Sequence, residues 1–514
     1  MTTTTKGTGT FYDALPSTAV PETKGTGTFV EAFPTTAWLG TFPVDADGYT
    51  LFPTENPVII SNTGDVRDLK TAQQICQATG RRAILFQRGQ RFSADQINDD
   101  IRINGLSPQQ PFVVGATPDV SSPMPILARG FGIGDAKLPT TQFIVIADLD
   151  FYADSRDPSA DAFVATTQST ANSATTSTTS AIATTNAAAA PAPPPDQQHS
   201  IRMYAPNGGQ YLWIEGCRVR YFQFGIDLES ASPFSTVILR RNVVHHCWGS
   251  HFGLYTAGLQ DVLILENILD HNGWLAGQCA KTILNHNGYL QISAAAGDPQ
   301  VRVLRNTFAR ASCYGCQQRP GGLNLNNLYI GNPQAFLLEA RDSIARNCVV
   351  TGAGFNLAVA DQPKGDGFLS DFTTSILIDN CIFTDKLDAI NNHSAICITC
   401  IQDNTNANIP TSVKIQNTIV HNWTGQSIYI MGTPAIVEYE NCDLPGIDAP
   451  GINQNPKYID STRTLQTYAQ SIGQDTPHDY LTAATQQRRG NYRKALTAMA
   501  FNSYIREGFT PKPP

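Results

Sequence analysis

The sequence predicts an all-β solenoid: a coil of stacked parallel strands, with an extended arm before it and a helical segment after it. Three observations predict this. First, one signature (apolar, any, apolar, any, Asn, any, apolar) returns eight times between residues 242 and 441. Second, charged residues make up only 15% of the chain, against roughly 25% in typical soluble domains. Thr, Ser, Asn, Gln and Gly fill the deficit, a composition suited to short strands and turns. Third, the 514 residues hold ample chain for a large core, and long all-β folds routinely exceed the usual domain length.

Residues 1–45 read as a docking arm. Residues 6–23 (KGTGTFYDALPSTAVPET) and 24–41 (KGTGTFVEAFPTTAWLGT) match at eleven of eighteen positions. Each copy is too short and too rich in Pro, Gly and Thr to build its own core. Two readings stand: a flexible leader, or an arm whose Phe11, Phe29 and Trp38 bury themselves on a partner.

Residues 46–460 are assigned to the coil. DLKTAQQICQATG (68–80) reads as a helix with Gly80 as its C-cap. RRAILFQRGQRF and TQFIVIADLDFYAD follow as strands. The second brings Asp148, Asp150 and Asp154 together, with Asp148 and Asp150 on one face. The tract at 165–198 (ATTQSTANSATTSTTSAIATTNAAAAPAPPPDQQ) lacks the apolar residues to fold alone and reads as a surface loop. The signature then recurs at Asn242, Asn267, Asn306, Asn327, Asn347, Asn380, Asn417 and Asn441, at spacings of 25, 39, 21, 20, 33, 37 and 24 residues. The short spacings are solenoid periods, and the long ones are rungs carrying loops. An Asn at a recurrent bend can stack on the next and satisfy backbone groups that the turn leaves unpaired. Residues 461–514 show helical spacing (Leu481, Ala484, Tyr492, Ala495, Met499), stop at Gly508, and are expected to cover the open end of the coil.

Other classes are set aside. No run of about 18 apolar residues exists, so no transmembrane helix is expected. The N-terminus lacks the apolar core of a secretory signal. A net charge of −8 argues against nucleic acid. The 11 cysteines exclude a fully paired scaffold by parity. Cys313/Cys316 and Cys397/Cys400 could supply four zinc ligands, but buried thiols are favoured and no metal is assigned.

With AILFQRGQRF, DHNGW (270–274), NHNGYL (285–290), RPGG (319–322) and the tail from STRTLQTYAQSIG through YIREGF, the chain resembles the right-handed parallel β-helix, pectate-lyase-like superfamily. It is nearest to bacterial right-handed parallel β-helix repeat proteins and also resembles phage tailspikes. The resemblance covers roughly residues 50–510 and implies polysaccharide lyases, hydrolases or glycan-binding spikes. It implies catalytic columns one rung apart on an exposed strand face. Three and four residues past the Asn lie His245 and His246 in one rung and Asp270 and His271 in the next, so these four form the catalytic candidate. An imidazole beside a carboxylate suits a general base. His251, His286, Tyr289 and Arg319 would line the same groove, Arg319 as a bidentate anion binder. Asp148/Asp150 is the second candidate. No cofactor is expected, although a lyase would call for Ca²⁺.

The function expected is a virion-associated, tailspike-like protein. It would be a homo-oligomer, a trimer among the options, docked to other virion proteins through residues 1–41 and binding or cleaving a surface polysaccharide. The alternatives are a secreted or cell-envelope polysaccharide lyase or glycoside hydrolase, and a non-catalytic adhesin or filament subunit.

Overall fold

The computed structural model describes residues 34–134, 140–162, 197–247, 252–275, 278–279, 285–291, 300–338, 343–352, 357–360, 375–385, 394–399, 412–431 and 436–511. Phe11, Phe29, His251 and nearly all of the 165–198 tract lie outside them.

The strands stack in parallel to form a β-helix with three faces. Face C is an 11-stranded sheet running from Arg91–Phe92 to Ile419–His421. Faces A and B join into one 22-stranded sheet because the 17-residue strand Phe224–Arg240 runs through both. Its first half pairs with His199–Ala205 and Leu254–Leu259 on face A, and its second with Gly209–Glu215 and Asp261–Leu265 on face B. Period-two alternation sends Val237 and Leu239 into the central core while Ile238 faces outward.

From Asp148 onward the bend from face B to face C repeats from rung to rung and has two positions. The first is left-handed, as at Arg241, Glu266, Arg305 and Asn347, with φ from +52° to +58°. The second points into the core: Asn242, Asn267, Asn306 and Asn327 are at most 3% exposed. These four form a ladder. Asn306 Oδ1 accepts from Asn267 N at 2.8 Å and Asn267 Nδ2 at 3.0 Å, while Asn306 Nδ2 donates to Ile264 O at 2.9 Å.

The eight asparagines of the signature therefore do not share one position. From Asn347 onward the signature Asn is the left-handed residue, and the inward position passes to Cys348, Cys381, Thr418 and Cys442. Asn fits both places, because it tolerates left-handed backbone better than other non-glycine residues and its amide can also ladder. The left-handed asparagines form an outer ladder, with Asn380 Nδ2 donating to Asn347 Oδ1 at 2.8 Å. The inward thiols reach the same carbonyl row: Cys381 Sγ to Ala345 O at 3.6 Å and Cys442 Sγ to Ile415 O at 3.2 Å. The buried-thiol reading accounts for these cysteines.

The helix α1 (Pro34–Leu39) and the segment to Phe52 strap the outside of face B. Trp38, expected to anchor a partner, is 2% exposed and packs on its own coil. Its ring meets Tyr211 at 5.2 Å and Trp213 at 5.1 Å, and its Nε1 donates to Pro108 O. The apolar outer surface of face B needed a cover, and the adjoining chain supplies it.

The helix α2 (Leu69–Thr79) forms as expected, with Asp68 as N-cap and Gly80 at φ +73°. It connects the first two strands of face B, and Leu69, Ala72 and Cys76 join the central core. The helices α3 (Leu465–Ser471), α4 (Pro477–Ala484) and α5 (Ala498–Gly508) were expected over the open end of the coil. They lie instead along the outside of face C. Tyr468, Leu481, Phe501 and Ile505 pack on Val243, Ile268, Leu328 and Val349. Outward residues of face C are apolar in successive rungs, so burying them against an amphipathic layer removes more apolar area from water than capping one rung.

Replacing Asn306 by Ala leaves Asn267 N without an acceptor inside the core and removes the amide bond that Asn306 adds to Ile264 O. It should lower stability by about 3 kcal/mol, from about 1–3 kcal/mol for the orphaned group plus the lost bond. Asn347→Ala should cost about 1 kcal/mol, chiefly through left-handed strain because the bond it loses to Asn380 is exposed, and Asn347→Gly only a few tenths. Urea unfolding midpoints check the order; equal losses at 306 and 347 would refute the two-column account.

Candidate functional site

The expected catalytic residues fall on face C. His245 and Asp270 are direct register partners, and both point outward from strands Val243–His245 and Ile268–Asp270. His246 and His271 occupy the left-handed bend that follows, at φ +55° and +56°. Their rings stack at 4.6 Å, with Tyr221 on the far side of His246 at 5.3 Å. The adjacency predicted from the Asn spacing is therefore present.

The chemistry of the cluster differs from an imidazole–carboxylate dyad. Asp270, 0% exposed, receives Arg310 Nε at 2.8 Å and Nη2 at 2.5 Å. Arg310 also meets His478 of α4 at 2.9 Å, which ties the helical layer to this column. His245 Nδ1 faces His246 Nδ1 at 2.9 Å, an arrangement in which one ring donates and the other accepts. Burial, the neighbouring His246 and the nearby arginines hold His245 well below the usual histidine range. Burial and His246 press His271 down to about 3. These imidazoles are neutral and weakly basic, and Asp270 is already committed to Arg310.

The Asp148/Asp150 pair does not share a strand face. Asp148 sits at the left-handed bend, φ +59°, and Asp150 opens the face C strand beyond it. Each is engaged separately: Asp148 with Arg489 at 2.6 Å, Asp150 with Arg220 at 2.8 Å. Asp154 pairs with Arg91.

Tyr289, His286 and Arg319, expected beside the face C cluster, lie on face A. Parallel register sets Asp227, Tyr255, Tyr289 and Gln317 in one outward column. Two residues further along their strands, Glu229, Ala257, Gln291 and Arg319 form the next. Arg319 donates to Tyr289 Oη at 2.6 Å and to Gln291 Oε1 at 3.0 Å. The Tyr255 and Tyr289 rings are 5.6 Å apart, and Phe252 stacks on both Tyr255 (5.1 Å) and His286 (5.5 Å). At the head of the columns Asp227, 2% exposed, pairs with His199 Nδ1 at 2.9 Å and lies opposite Arg202. Burial and the Asp227 charge raise Glu229 above the ordinary carboxyl range.

Sequence reasoning missed Asp227 and Glu229. The signal was there, since a D-x-E pair within an alternating strand places both carboxyls on one side. The Asn register carries across face C but not over the loops that lead to face A, so these residues could not be aligned with Tyr289 and Arg319. Among the described residues, no group of three or more His, Cys, Asp or Glu side chains is placed to hold a metal ion.

No protein-family model matches the chain, and no curated protein does. Solved structures similar to it include the A-module of the mannuronan C-5 epimerase AlgE4 of Azotobacter vinelandii. That match is 11% identical, covers 75% of this chain and 94% of that one, and has a TM-score of 0.41. Another is the catalytic domain of a GH87 alpha-1,3-glucanase in complex with tetrasaccharides. It is 13% identical, covers 77% of this chain and 61% of that one, and has a TM-score of 0.40. The likeness is distant, and the architecture follows from the strand register itself.

The depressed histidines make folding sensitive to acid. Unfolding restores them to about 6.5, so below that pH the unfolded state binds more protons. Stability held above about pH 6.5 is then lost progressively as pH falls toward the folded value of His271 near 3. His271→Asn keeps a residue tolerant of the left-handed bend and removes one such site. The loss of Tm between about pH 7.5 and about pH 5 should shrink in this variant; an unchanged loss would show that His271 titrates alike in both states.

Proposed function

We propose that this protein binds a polysaccharide along face A. The observation that carries the reading is the pair of outward columns in which Tyr255 and Tyr289 stand on successive rungs beside Gln291 and Arg319. Aromatic rings offer apolar faces on which sugar rings stack. Amide and guanidinium groups at their edge supply the directional bonds that orient a hydroxyl-rich or anionic chain. Faces B and C support this assignment indirectly, because the strap covers part of one and the helical layer lies over the other.

The setting we assign is a spike or fibre on a virus particle, docked through the duplicated segment within residues 1–41. What supports it is the repeated KGTGTF, whose two tethered copies would give a second contact at high effective concentration once the first has formed. The α1 strap bears on it too: the end of the second copy is fastened to face B by Trp38, so a partner held by the arm would be held close to the coil.

A glycan array probed with the full chain tests the binding reading. Tyr289→Ala should weaken binding to the polysaccharide that is found by about 10-fold, the effect of losing roughly 1.4 kcal/mol of aromatic contact. His271→Asn on face C should leave affinity unchanged. The opposite pattern would place the glycan on face C.

A further inference from the structure

We infer that Asp227 and Glu229 form a hydrolytic carboxyl pair, in which Glu229 protonates the leaving oxygen of a glycosidic bond and Asp227 positions it. The inference rests on the face A reading, which supplies the bound chain, and adds a reaction to it.

The strand Phe224–Arg240 places both side chains on the outer surface, next to the tyrosine column. Asp227 has two oxygens in different circumstances. Oδ2 faces His199 Nδ1 at 2.9 Å, with Arg202 Nε at 3.8 Å. Oδ1 is buried and has no donor. The Glu229 carboxyl is within hydrogen-bonding reach of Asp227. Two ionised carboxylates only accept, so they satisfy one another only by sharing a proton. Asp227 is 2% exposed while Glu229 is half-buried, so the shared proton that can reach a ligand is the one on Glu229. Its O–H can meet a ligand lying across Tyr255 and Tyr289.

Carboxyls that share a proton lie closer than the about 5 Å that separates a nucleophile from an acid across a sugar ring. Asp227 therefore serves Glu229 and does not attack the sugar. In the step proposed, the bond between the anomeric carbon and the leaving oxygen breaks as Glu229 gives that oxygen its proton. Water supplies the oxygen that bonds to the anomeric carbon. The proton that water sheds returns the pair to its singly protonated state. Glu229 is the catalytic residue, and Asp227 acts through it as a positioning residue.

The test incubates the full chain with polygalacturonate, alginate, hyaluronan, dextran and lipopolysaccharide O-chains, measuring bound chain and released reducing ends separately. The wild-type protein should release reducing ends from a polysaccharide that it binds. Glu229→Gln should lower release at least 100-fold with binding retained. Activity should fall as pH rises through the raised Glu229 value. Asp227→Asn should move that alkaline limb to lower pH, because it removes the like charge that keeps Glu229 protonated; a merely structural residue would lower activity at all pH values alike. Binding without cleavage by the wild-type protein overturns the hydrolytic pair and leaves the binding reading standing. Cleavage that survives Glu229→Gln, or products carrying a new double bond, also overturns it. Neither binding nor cleavage overturns both.

Discussion

The bend between faces B and C is the constraint on which the rest of this structure depends. A coil of parallel strands satisfies its backbone through the rung above and the rung below, except where the chain turns. At this turn a left-handed residue directs the next one inward, into a core with no water to bond its peptide groups. Asn267, Asn306 and Asn327 solve this by accepting from the rung before and donating to a buried carbonyl. Further along, Cys381 and Cys442 hold the position with weaker sulfur contacts. From Asn242 onward the ladder fixes where each face C strand begins, and so which residues point outward from it.

That outward pattern decides which surfaces are consumed. On face C the outward residues are apolar over many rungs, and α3–α5 bury them. Asn502 of α5 also donates to Asn326 O and Asn327 O, so the helical layer reads the bend directly. On face B the apolar outer residues around Trp213 take the strap, closed by ionic contacts. Arg489 reaches Asp148, Asp45 and Thr50 O at once, binding the first strapped segment to the segment between α4 and α5. Removing Arg489 would leave Asp148 buried beside Arg88 alone, and unpaired buried charge is costly. Face A carries acids, tyrosines and amides outward in the Asp227–Arg319 region, a composition that no part of this chain's apolar cover would match.

The two bends also explain how the site expectations divided. The spacing from Asn242 to His245 and from Asn267 to Asp270 is one face C strand long, three residues without insertion, so the adjacency of those side chains was legible. What they do there was not. Arg310 is a rung away from Asp270 and sits at a bend of its own, and nothing in the spacing tells that its guanidinium folds back onto that carboxylate. Tyr289 and Arg319 were recognised as binding types but assigned to the same groove as the histidines, because the chain between faces C and A varies too much in length for the Asn register to cross it.

The sequence by itself determined the parallel coil, the recurrent Asn bend, the helix ending at Gly80 and the helical character of the tail. Each depends on residues close in the chain: alternation along a strand, left-handed preference at a turn, a cap. It also determined that His246 would meet His271, since one rung repeats the last. Only the tertiary structure decided that the tail lies along face C and that Trp38 packs on its own coil. Only the tertiary structure brought Asp227 and Glu229 beside Tyr255 and Tyr289. These outcomes are set by contacts between segments far apart in sequence, where the deciding quantity is which apolar or charged surface remains uncovered once the coil has closed. Local pattern carries no record of that quantity.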